Sequence, residues 1–141
     1  MDLEHKAVLD MGCGTSILAI LAHKRGANPI TAIDIDSWCV ENSKDNCALN
    51  NIDNIDILHG DANLLSQIDL NYDLVIANIN RNILLADMES YIKRLNVGGK
   101  LLMSGFYTED IAILQDKAES LGMKFERTNS RNNWACLAVS K

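Results

Sequence analysis

A strand, a glycine-rich turn and a helix follow one another without a gap near the start of the chain, and this unit constrains the fold most. The apolar run Ala7-Val8-Leu9 leads into Asp10-Met11-Gly12-Cys13-Gly14-Thr15, and apolar residues recur at helical spacing between Ile17 and Gly26. A buried strand that turns tightly into a helix is the first half of a β-α-β unit. The sequence therefore predicts a parallel sheet with helices packed on it.

The same alternation continues along most of the chain. Further strands are predicted over residues 30–33, 55–58, 72–77 and 100–103, with helices over 37–49 and near 63–66. A long amphipathic helix that stops before Gly98-Gly99 is indicated by Leu84, Met88, Tyr91, Ile92 and Leu95. We expect Thr108 to cap a last helix, whose apolar positions are Ile111, Leu114, Ala118 and Leu121.

The end of the chain breaks this alternation. Residues 124–128 and 134–139 are two strand-like runs joined only by the polar turn Arg131-Asn132-Asn133, so no helix fits between them. They are predicted to pair as an antiparallel hairpin at the edge of the sheet. The fold class expected is α/β, a doubly wound and mainly parallel seven-stranded sheet, with residues 1–141 forming a single domain.

Composition excludes several classes of function. The apolar run that follows the glycine turn is soon broken by His23-Lys24-Arg25, and no later stretch suits a membrane span or signal peptide, so a soluble, cytoplasmic protein is expected. The 4 cysteines and 3 histidines are scattered, without the spacing of metal ligands, so we predict no metal. A net charge of −6 argues against direct binding of nucleic acid.

Polar residues and glycines follow four of the predicted strands, where ligands bind in doubly wound sheets. After the first strand, Gly12 and Gly14 let the backbone approach a ligand closely. Ile17 stands where a dinucleotide-binding motif has its third glycine. The Asp10 carboxylate would repel a pyrophosphate but could hold the ammonium of an amino-acid-like ligand; the alternative is that it only orders the turn.

Two later carboxylates suit a nucleoside. Asp34 follows the second strand about 20 residues after Gly14, the spacing at which a carboxylate accepts hydrogen bonds from both ribose hydroxyls. Asp36 is expected to cap the next helix. After the third strand, Gly60-Asp61-Ala62 offers a carboxylate to an adenine amino group, with a plain turn residue as the competing interpretation of Asp61.

The fourth strand ends in Ala77-Asn78-Ile79-Asn80. The side-chain oxygen of Asn78 can accept a hydrogen bond from a neutral amine and direct the lone pair of that amine at an electrophile. Asn80 is expected to cap the following helix, and the alternative for both residues is that they merely turn the chain.

These motifs, in this order and with a terminal hairpin, resemble the class I S-adenosylmethionine methyltransferases. The runs Val8-Leu9-Asp10-Met11-Gly12-Cys13-Gly14-Thr15, Ala32-Ile33-Asp34-Ile35-Asp36 and Asp73-Leu74-Val75-Ile76-Ala77-Asn78-Ile79 are most similar to the ribosomal protein L11 methyltransferases, the PrmA family. The resemblance covers nearly the whole chain. It implies a Rossmann-like methyltransferase fold and methylation of lysine side chains and an N-terminal amine of a ribosomal protein.

The resemblance also implies site residues. S-adenosylmethionine would be bound by Asp10, Gly12, Cys13, Gly14, Asp34, Ile35, Asp61, Ala62 and Asn78, with Asn78 also the catalytic residue facing the incoming amine. Ser16 departs from the family pattern, which usually has glycine there. Members of the family carry an N-terminal recognition domain, a linker and a cofactor loop ahead of this region, so the chain is expected to be the catalytic domain without its recognition domain.

The cofactor motifs do not specify the methyl acceptor, and three alternatives stay open. One is a methyltransferase that acts on RNA or on the nitrogen of a small molecule, against which the acidic net charge weighs in the case of RNA. Another is a module that binds cofactor without turnover in isolation. The third is a nicotinamide dehydrogenase, which the missing third glycine disfavours.

Overall fold

The computed structural model describes residues 2–141. Its strands are β1 (Val8–Met11), β2 (Ile30–Asp34), β3 (Ile55–His59), β4 (Tyr72–Asn78), β5 (Leu95–Tyr107), β6 (Lys124–Arg131) and β7 (Trp134–Ser140). Its α-helices are α1 (Ile17–Lys24), α2 (Ser37–Leu49), α3 (Arg81–Lys93) and α4 (Ile111–Ser120), with 3₁₀ turns at Ala62–Gln67 and Thr108–Asp110. No helix between residues 2 and 141 is long and apolar enough to cross a membrane.

The strands form one seven-stranded sheet in the order β3-β2-β1-β4-β5-β7-β6. Strands β1 to β5 are parallel, whereas β7 pairs antiparallel with both β5 and β6. The strand order reverses between β1 and β4, which creates a crevice at their carboxyl ends. The predicted fold class, with its terminal hairpin, is confirmed.

Alternation along β1 assigns neighbouring side chains to opposite faces of the sheet. Leu9 and Met11 belong to the apolar cluster that packs under α3 and α4. Val8 belongs to the other cluster, which lies under α1 and α2. Asp10 therefore shares its face with Val8, and its side chain lies beneath α1 rather than on the α3 side.

The boundary between α3 and β5 differs from the prediction. Leu95 continues the helical spacing of Tyr91 and Ile92, yet α3 ends at Lys93 and Leu95 pairs with Tyr72 as the first residue of β5. The backbone N–H of Tyr72 donates to the carbonyl of Arg94 at 2.7 Å, which begins the strand pairing there. Leu95 is buried in the same apolar cluster as the residues of α3. Its hydrophobicity therefore does not distinguish the end of a helix from the start of a strand.

The entry into α4 also differs from the prediction. Thr108 does not cap the helix: its hydroxyl donates to the side-chain oxygen of Asn133, and it lies in the 3₁₀ turn Thr108–Asp110. The Asp110 carboxylate instead accepts from the backbone N–H of Tyr107 at 3.1 Å and from Arg81 at 2.9 Å. This ion pair joins the start of α3 to the turn before α4.

The terminal hairpin turns at Asn132 and Asn133, which have φ angles of 52° and 69°. Asparagine tolerates this left-handed region better than most residues, so a two-residue turn is possible here. Both strands of the hairpin, β6 and β7, extend further than predicted.

The carboxyl ends of β1 to β4 lie on the same edge of the sheet as the loop from β4 to α3.

Candidate functional site

The carboxyl ends of β1 to β4 and one face of α3 enclose a cavity of about 420 Å³, which we call the strand-end cavity. Its volume is typical of small-molecule sites, which measure roughly 300–1,000 Å³. The predicted site residues that border it are Gly12, Asp34, Ile35, Asp61, Ala62 and Asn78. Residues that the sequence analysis missed also border it, namely Met11, Ile33, Gly60, Ile79, Ile83, Asp87 and Tyr91.

The charge of the strand-end cavity is one-sided. Among the described residues, its lining includes the carboxyl groups of Asp34, Asp61 and Asp87 and no lysine, arginine or histidine. These carboxylates do not form a metal centre, because no group of three or more potential ligands within residues 2–141 is placed to hold a metal ion. Phosphate groups would be repelled here, whereas a cation or a ligand rich in hydrogen-bond donors would be favoured.

Asp34, the last residue of β2, is held by two backbone groups. Its Oδ2 accepts from the N–H of Gly14 at 3.0 Å, and its Oδ1 accepts from the N–H of Asp36 at 2.9 Å. A carboxylate offers about four acceptor positions, so each oxygen keeps one for a ligand. The carboxylate is therefore fixed in orientation and still available to a pair of neighbouring hydroxyls.

Gly12 lets the loop after β1 pack against the loop after β4. Its φ angle is 68°, and a Cβ atom there would lie 2.7 Å from Cγ1 of Ile79. Both the conformation and the close contact require glycine. The backbone N–H groups of Gly12 and Cys13 both donate to the carbonyl of Ile33, at 2.8 and 3.0 Å, which ties this loop to β2.

Asp10 does not border the strand-end cavity, because the alternation of β1 turns its side chain toward α1. It is 1% exposed, and neither carboxylate oxygen has a hydrogen-bond partner within residues 2–141. Burial raises its pKa to about 7; the nearby backbone of Ala19 offsets part of the rise, although its geometry falls short of a hydrogen bond, and the Asp34 charge adds to it. A cofactor contact by Asp10 stays a prediction.

The pKa of Asp10 gives stability a pH dependence. The folded chain keeps this proton to about pH 7, whereas the unfolded chain loses it near the ordinary value of 3.8. Stability should therefore fall as the pH rises between these values. The variant Asp10→Asn should be more stable than the unsubstituted chain by about 4 kcal/mol at pH 8, and the two should converge near pH 4. Urea unfolding of both at a series of pH values measures this.

Asp53→Asn, at an exposed carboxylate, is the control for this experiment and should leave the pH dependence as it is. A difference between Asp10→Asn and the unsubstituted chain that is the same at pH 4 and pH 8 would contradict the assignment of the titrating proton to Asp10.

Cys13 and Gly14 also lie outside the lining of the strand-end cavity. The Cys13 thiol is buried 3.6 Å from the hydroxyl of Ser43, which donates to the carbonyl of Gly14 at 2.8 Å. Burial raises the pKa of the Cys13 thiol, so it stays protonated. Their position assigns both residues to holding the loop against α2, and a direct contact with a ligand stays a prediction.

Ser16 has a backbone conformation and an environment that suit glycine better than serine. It precedes α1 with a φ angle of 64°, in the left-handed region, and it is fully buried. Its hydroxyl has no hydrogen-bond partner among residues 2–141. Serine thus adds backbone strain and a buried unsatisfied group where glycine would add neither.

Asp61 combines the two interpretations that the sequence left open. Its Oδ1 accepts from the N–H of Asn63 at 2.9 Å and so caps the 3₁₀ turn Ala62–Gln67. The side-chain N–H of Asn63 also reaches its Oδ2, at a long 3.5 Å. Asp61 is therefore a turn residue that at the same time borders the strand-end cavity.

The residues missed on α3 share one face of that helix. Ile83, Asp87 and Tyr91 are spaced by four and all border the strand-end cavity. A charged residue inside the otherwise apolar face formed by Leu84, Met88 and Tyr91 is the signal that could have identified Asp87 from the sequence.

A second cavity, of about 650 Å³, lies between the end of β4 and the terminal hairpin, and we call it the hairpin cavity. It is bordered by Asn78, Ile79, Asn80, Ser104, Gly105, Asn129, Ser130, Arg131, Trp134, Ala135 and Cys136. Trp134 is 53% exposed and stacks on Tyr107, with ring centroids 4.5 Å apart. The hairpin cavity thus offers an aromatic surface at the sheet edge.

Asn78 and Ile79 border both cavities, so the two sites meet at the tip of β4. Asn78 is exposed, and its side chain takes part in none of the hydrogen bonds found within residues 2–141. A Cβ atom at Gly105 would lie 2.8 Å from its Oδ1, so glycine on β5 leaves room for this amide. The Asn80 side chain, as predicted, caps α3 by accepting from the N–H of Ile83 at 3.1 Å.

Comparison with known proteins identifies relatives over the whole chain. The family model described as ribosomal protein L11 methyltransferase (PrmA) matches residues 1–141. A ribosomal protein L11 methyltransferase from Phocaeicola vulgatus is 61% identical over 136 residues, which are 96% of this chain and 48% of that protein. The corresponding protein from Porphyromonas gingivalis is 61% identical over 137 residues, covering 97% and 47%.

A solved structure with the same family name has a fold similar to that of this chain. The ribosomal protein L11 methylase from Lactobacillus delbrueckii subsp. bulgaricus superposes with a TM-score of 0.91 at 30% identity, over 99% of this chain and 71% of that one. The chain spans about half the length of the curated relatives it matches.

Proposed function

The chain belongs to the ribosomal protein L11 methyltransferase (PrmA) family, and from this premise we propose that it is an S-adenosylmethionine-dependent N-methyltransferase. Its cofactor occupies the strand-end cavity, and its substrates are lysine side chains and the N-terminal amine of a ribosomal protein, L11. The observation that carries the proposal is that a carboxylate-lined cavity free of cationic residues, in the described chain, meets a second cavity at Asn78.

The residues of the strand-end cavity fit this cofactor. Asp34 keeps one free acceptor position on each oxygen, which suits the two ribose hydroxyls. Ile35 and Ile83 are 70% and 41% exposed and border the cavity, so they offer apolar surface to a purine. The absence of cationic residues from the described lining suits a ligand that carries a sulfonium and an ammonium group.

The hairpin cavity is the proposed site of the acceptor amine. S-adenosylmethionine would supply, when bound, an electrophilic methyl group on a sulfonium sulfur, and that sulfur is itself the leaving group, as a neutral thioether. Asn78 accepts a hydrogen bond from the neutral amine. This contact directs the lone pair of the amine toward the strand-end cavity. Asn78 cannot take up the proton, which the amine loses to water before the reaction, so the protein contributes mainly alignment and desolvation.

Acceptor recognition is proposed to involve more than these 141 residues. The relatives are about twice as long, and their names give ribosomal protein L11 as what they act on. Within the hairpin cavity, Arg131 is the one cationic residue of the described lining, and the net charge is −6, so a protein acceptor is favoured over RNA. The proposed compartment is the cytoplasm, where ribosomal proteins are available.

The test separates cofactor binding from turnover. A protein of these 141 residues should bind S-adenosylmethionine in calorimetry but transfer labelled methyl groups to L11 slowly. Fusing it to the part of the Phocaeicola vulgatus relative that lies outside the matched region should raise that rate by about tenfold or more, because placing the amine within about 3–3.5 Å of the methyl depends on recognition of the acceptor.

Ribosomal RNA and small amines are the competing acceptors in the same assay. Faster transfer to either would replace the proposed substrate, and binding without transfer to any acceptor, even in the fusion, would assign the chain to cofactor binding alone. If S-adenosylmethionine does not bind, the proposed function is wrong.

A further inference from the structure

Two carboxyl groups at one end of the strand-end cavity differ in how many hydrogen bonds they already make within the protein. Asp61 caps the 3₁₀ turn Ala62–Gln67 through its Oδ1, and its Oδ2 has a long contact with Asn63. Asp87, on α3, borders the same cavity and takes part in none of the hydrogen bonds or ion pairs found within residues 2–141. Asp87 is therefore the more available acceptor.

Asp87 is placed close to Asp61. It is half-buried, and its burial, together with the charge of Asp61, raises its pKa. Two carboxylates that face one cavity repel each other unless hydrogen-bond donors lie between them. A donor group with two N–H bonds would satisfy both at once.

Tyr91 gives an independent indication at the same end. It lies one helical turn after Asp87, borders the cavity and is fully buried. Its hydroxyl has no hydrogen-bond partner among the described residues, which is costly for a buried group. A ligand that offers an acceptor nitrogen would relieve this cost.

We propose that Asp87 and Tyr91 form the base-recognising end of the cavity: Asp87 shares the 6-amino group of adenine with Asp61, and the Tyr91 hydroxyl donates to a ring nitrogen. The inference rests on the proposed function and adds selectivity for the base. A purine with oxygen at position 6 directs lone pairs at the same carboxylates, so the site discriminates against it. Because Asp61 already accepts hydrogen bonds from Asn63 in its turn, a second carboxylate is needed to bind the amino group.

The test compares two ligands by calorimetry, S-adenosylhomocysteine and its 6-oxo counterpart S-inosylhomocysteine. Asp87→Asn keeps the shape of the side chain but exchanges an acceptor for a donor. It should weaken binding of the adenosyl compound by about tenfold. The ratio of the two affinities, adenosyl over inosyl compound, should fall by about tenfold or more as well. Tyr91→Phe should weaken binding of the adenosyl compound by about threefold to tenfold.

Glu89→Gln is the matched control, because Glu89 lies on the same helix, faces solvent and pairs with Lys93 at 3.8 Å; both affinities should be unchanged. An unaltered preference in Asp87→Asn would overturn the role of Asp87. If Tyr91→Phe raises the melting temperature without changing either affinity, its hydroxyl does not meet the ligand. Failure of the unsubstituted protein to bind S-adenosylhomocysteine would instead contradict the proposed function, and this inference with it.

Discussion

Asp34→Ala is expected to weaken binding of S-adenosylmethionine by two to four orders of magnitude. The carboxylate is proposed to accept from both ribose hydroxyls, and hydrogen bonds to charged groups contribute about 1.5–3 kcal/mol each. It also accepts from the backbone N–H of Gly14 at 3.0 Å, so its loss loosens the loop after β1 as well. About 3–6 kcal/mol of binding free energy should therefore be lost.

Calorimetry measures the dissociation constant, and thermal unfolding checks that the variant is folded. Asp36→Ala is the matched control, since Asp36 lies two residues away and caps α2 by accepting from the N–H of Trp38 at 2.9 Å, outside the lining of the cavity. It should cost about 1 kcal/mol of stability with little change in affinity. A folded Asp34→Ala variant with the dissociation constant of the unsubstituted chain would remove Asp34 from the site.

The strand ends could be predicted because their signals are local. Asp34 and Asn78 directly follow apolar runs, and Gly12 and Asp61 come within three residues of one. Parallel strands bring such positions to one edge of the sheet. The order of the central strands, with the switch between β1 and β4, then places all four around one cavity.

Asp10 and Gly14 show where a motif alone is insufficient. Both belong to the same glycine-rich run as Gly12, yet alternation turns Asp10 under α1 and Gly14 donates to Asp34 instead of bordering the cavity. Sequence proximity to a glycine that borders the cavity does not say on which face of the sheet a side chain lies.

The contributions of α3 and the terminal hairpin depend on tertiary packing. Asp87 and Tyr91 carry no motif, and they reach the cavity only because α3 packs on the face of the sheet beside the carboxyl ends of the strands. Trp134 borders the hairpin cavity because β7 pairs with β5 and not simply with its hairpin partner. Leu95 was misassigned for a related reason, since a buried leucine suits the end of a helix and the start of a strand equally well.

The proposed role of Asn78 predicts a separation between turnover and affinity. In the fusion described above, Asn78→Ala should lower the rate of L11 methylation by about 10²–10³-fold, as expected when a group that orients a reacting atom is removed. Its effect on cofactor affinity should be far smaller, because Asn78 is one of several residues that border the strand-end cavity. Single-turnover methyl transfer and calorimetry measure the two quantities.

The pH profile distinguishes orientation from proton transfer in that variant. Only the neutral amine can react, so the rate should rise with pH toward the pKa of a lysine amine, about 10.4. Asn78 does not titrate, so Asn78→Ala should lower the whole profile without changing its shape. The control is Asn82→Ala, at an exposed amide on α3 that borders neither cavity, which should keep the full rate. If Asn78→Ala methylates L11 as fast as the unsubstituted fusion, Asn78 only ends β4, and the alignment of the amine must come from the hairpin cavity.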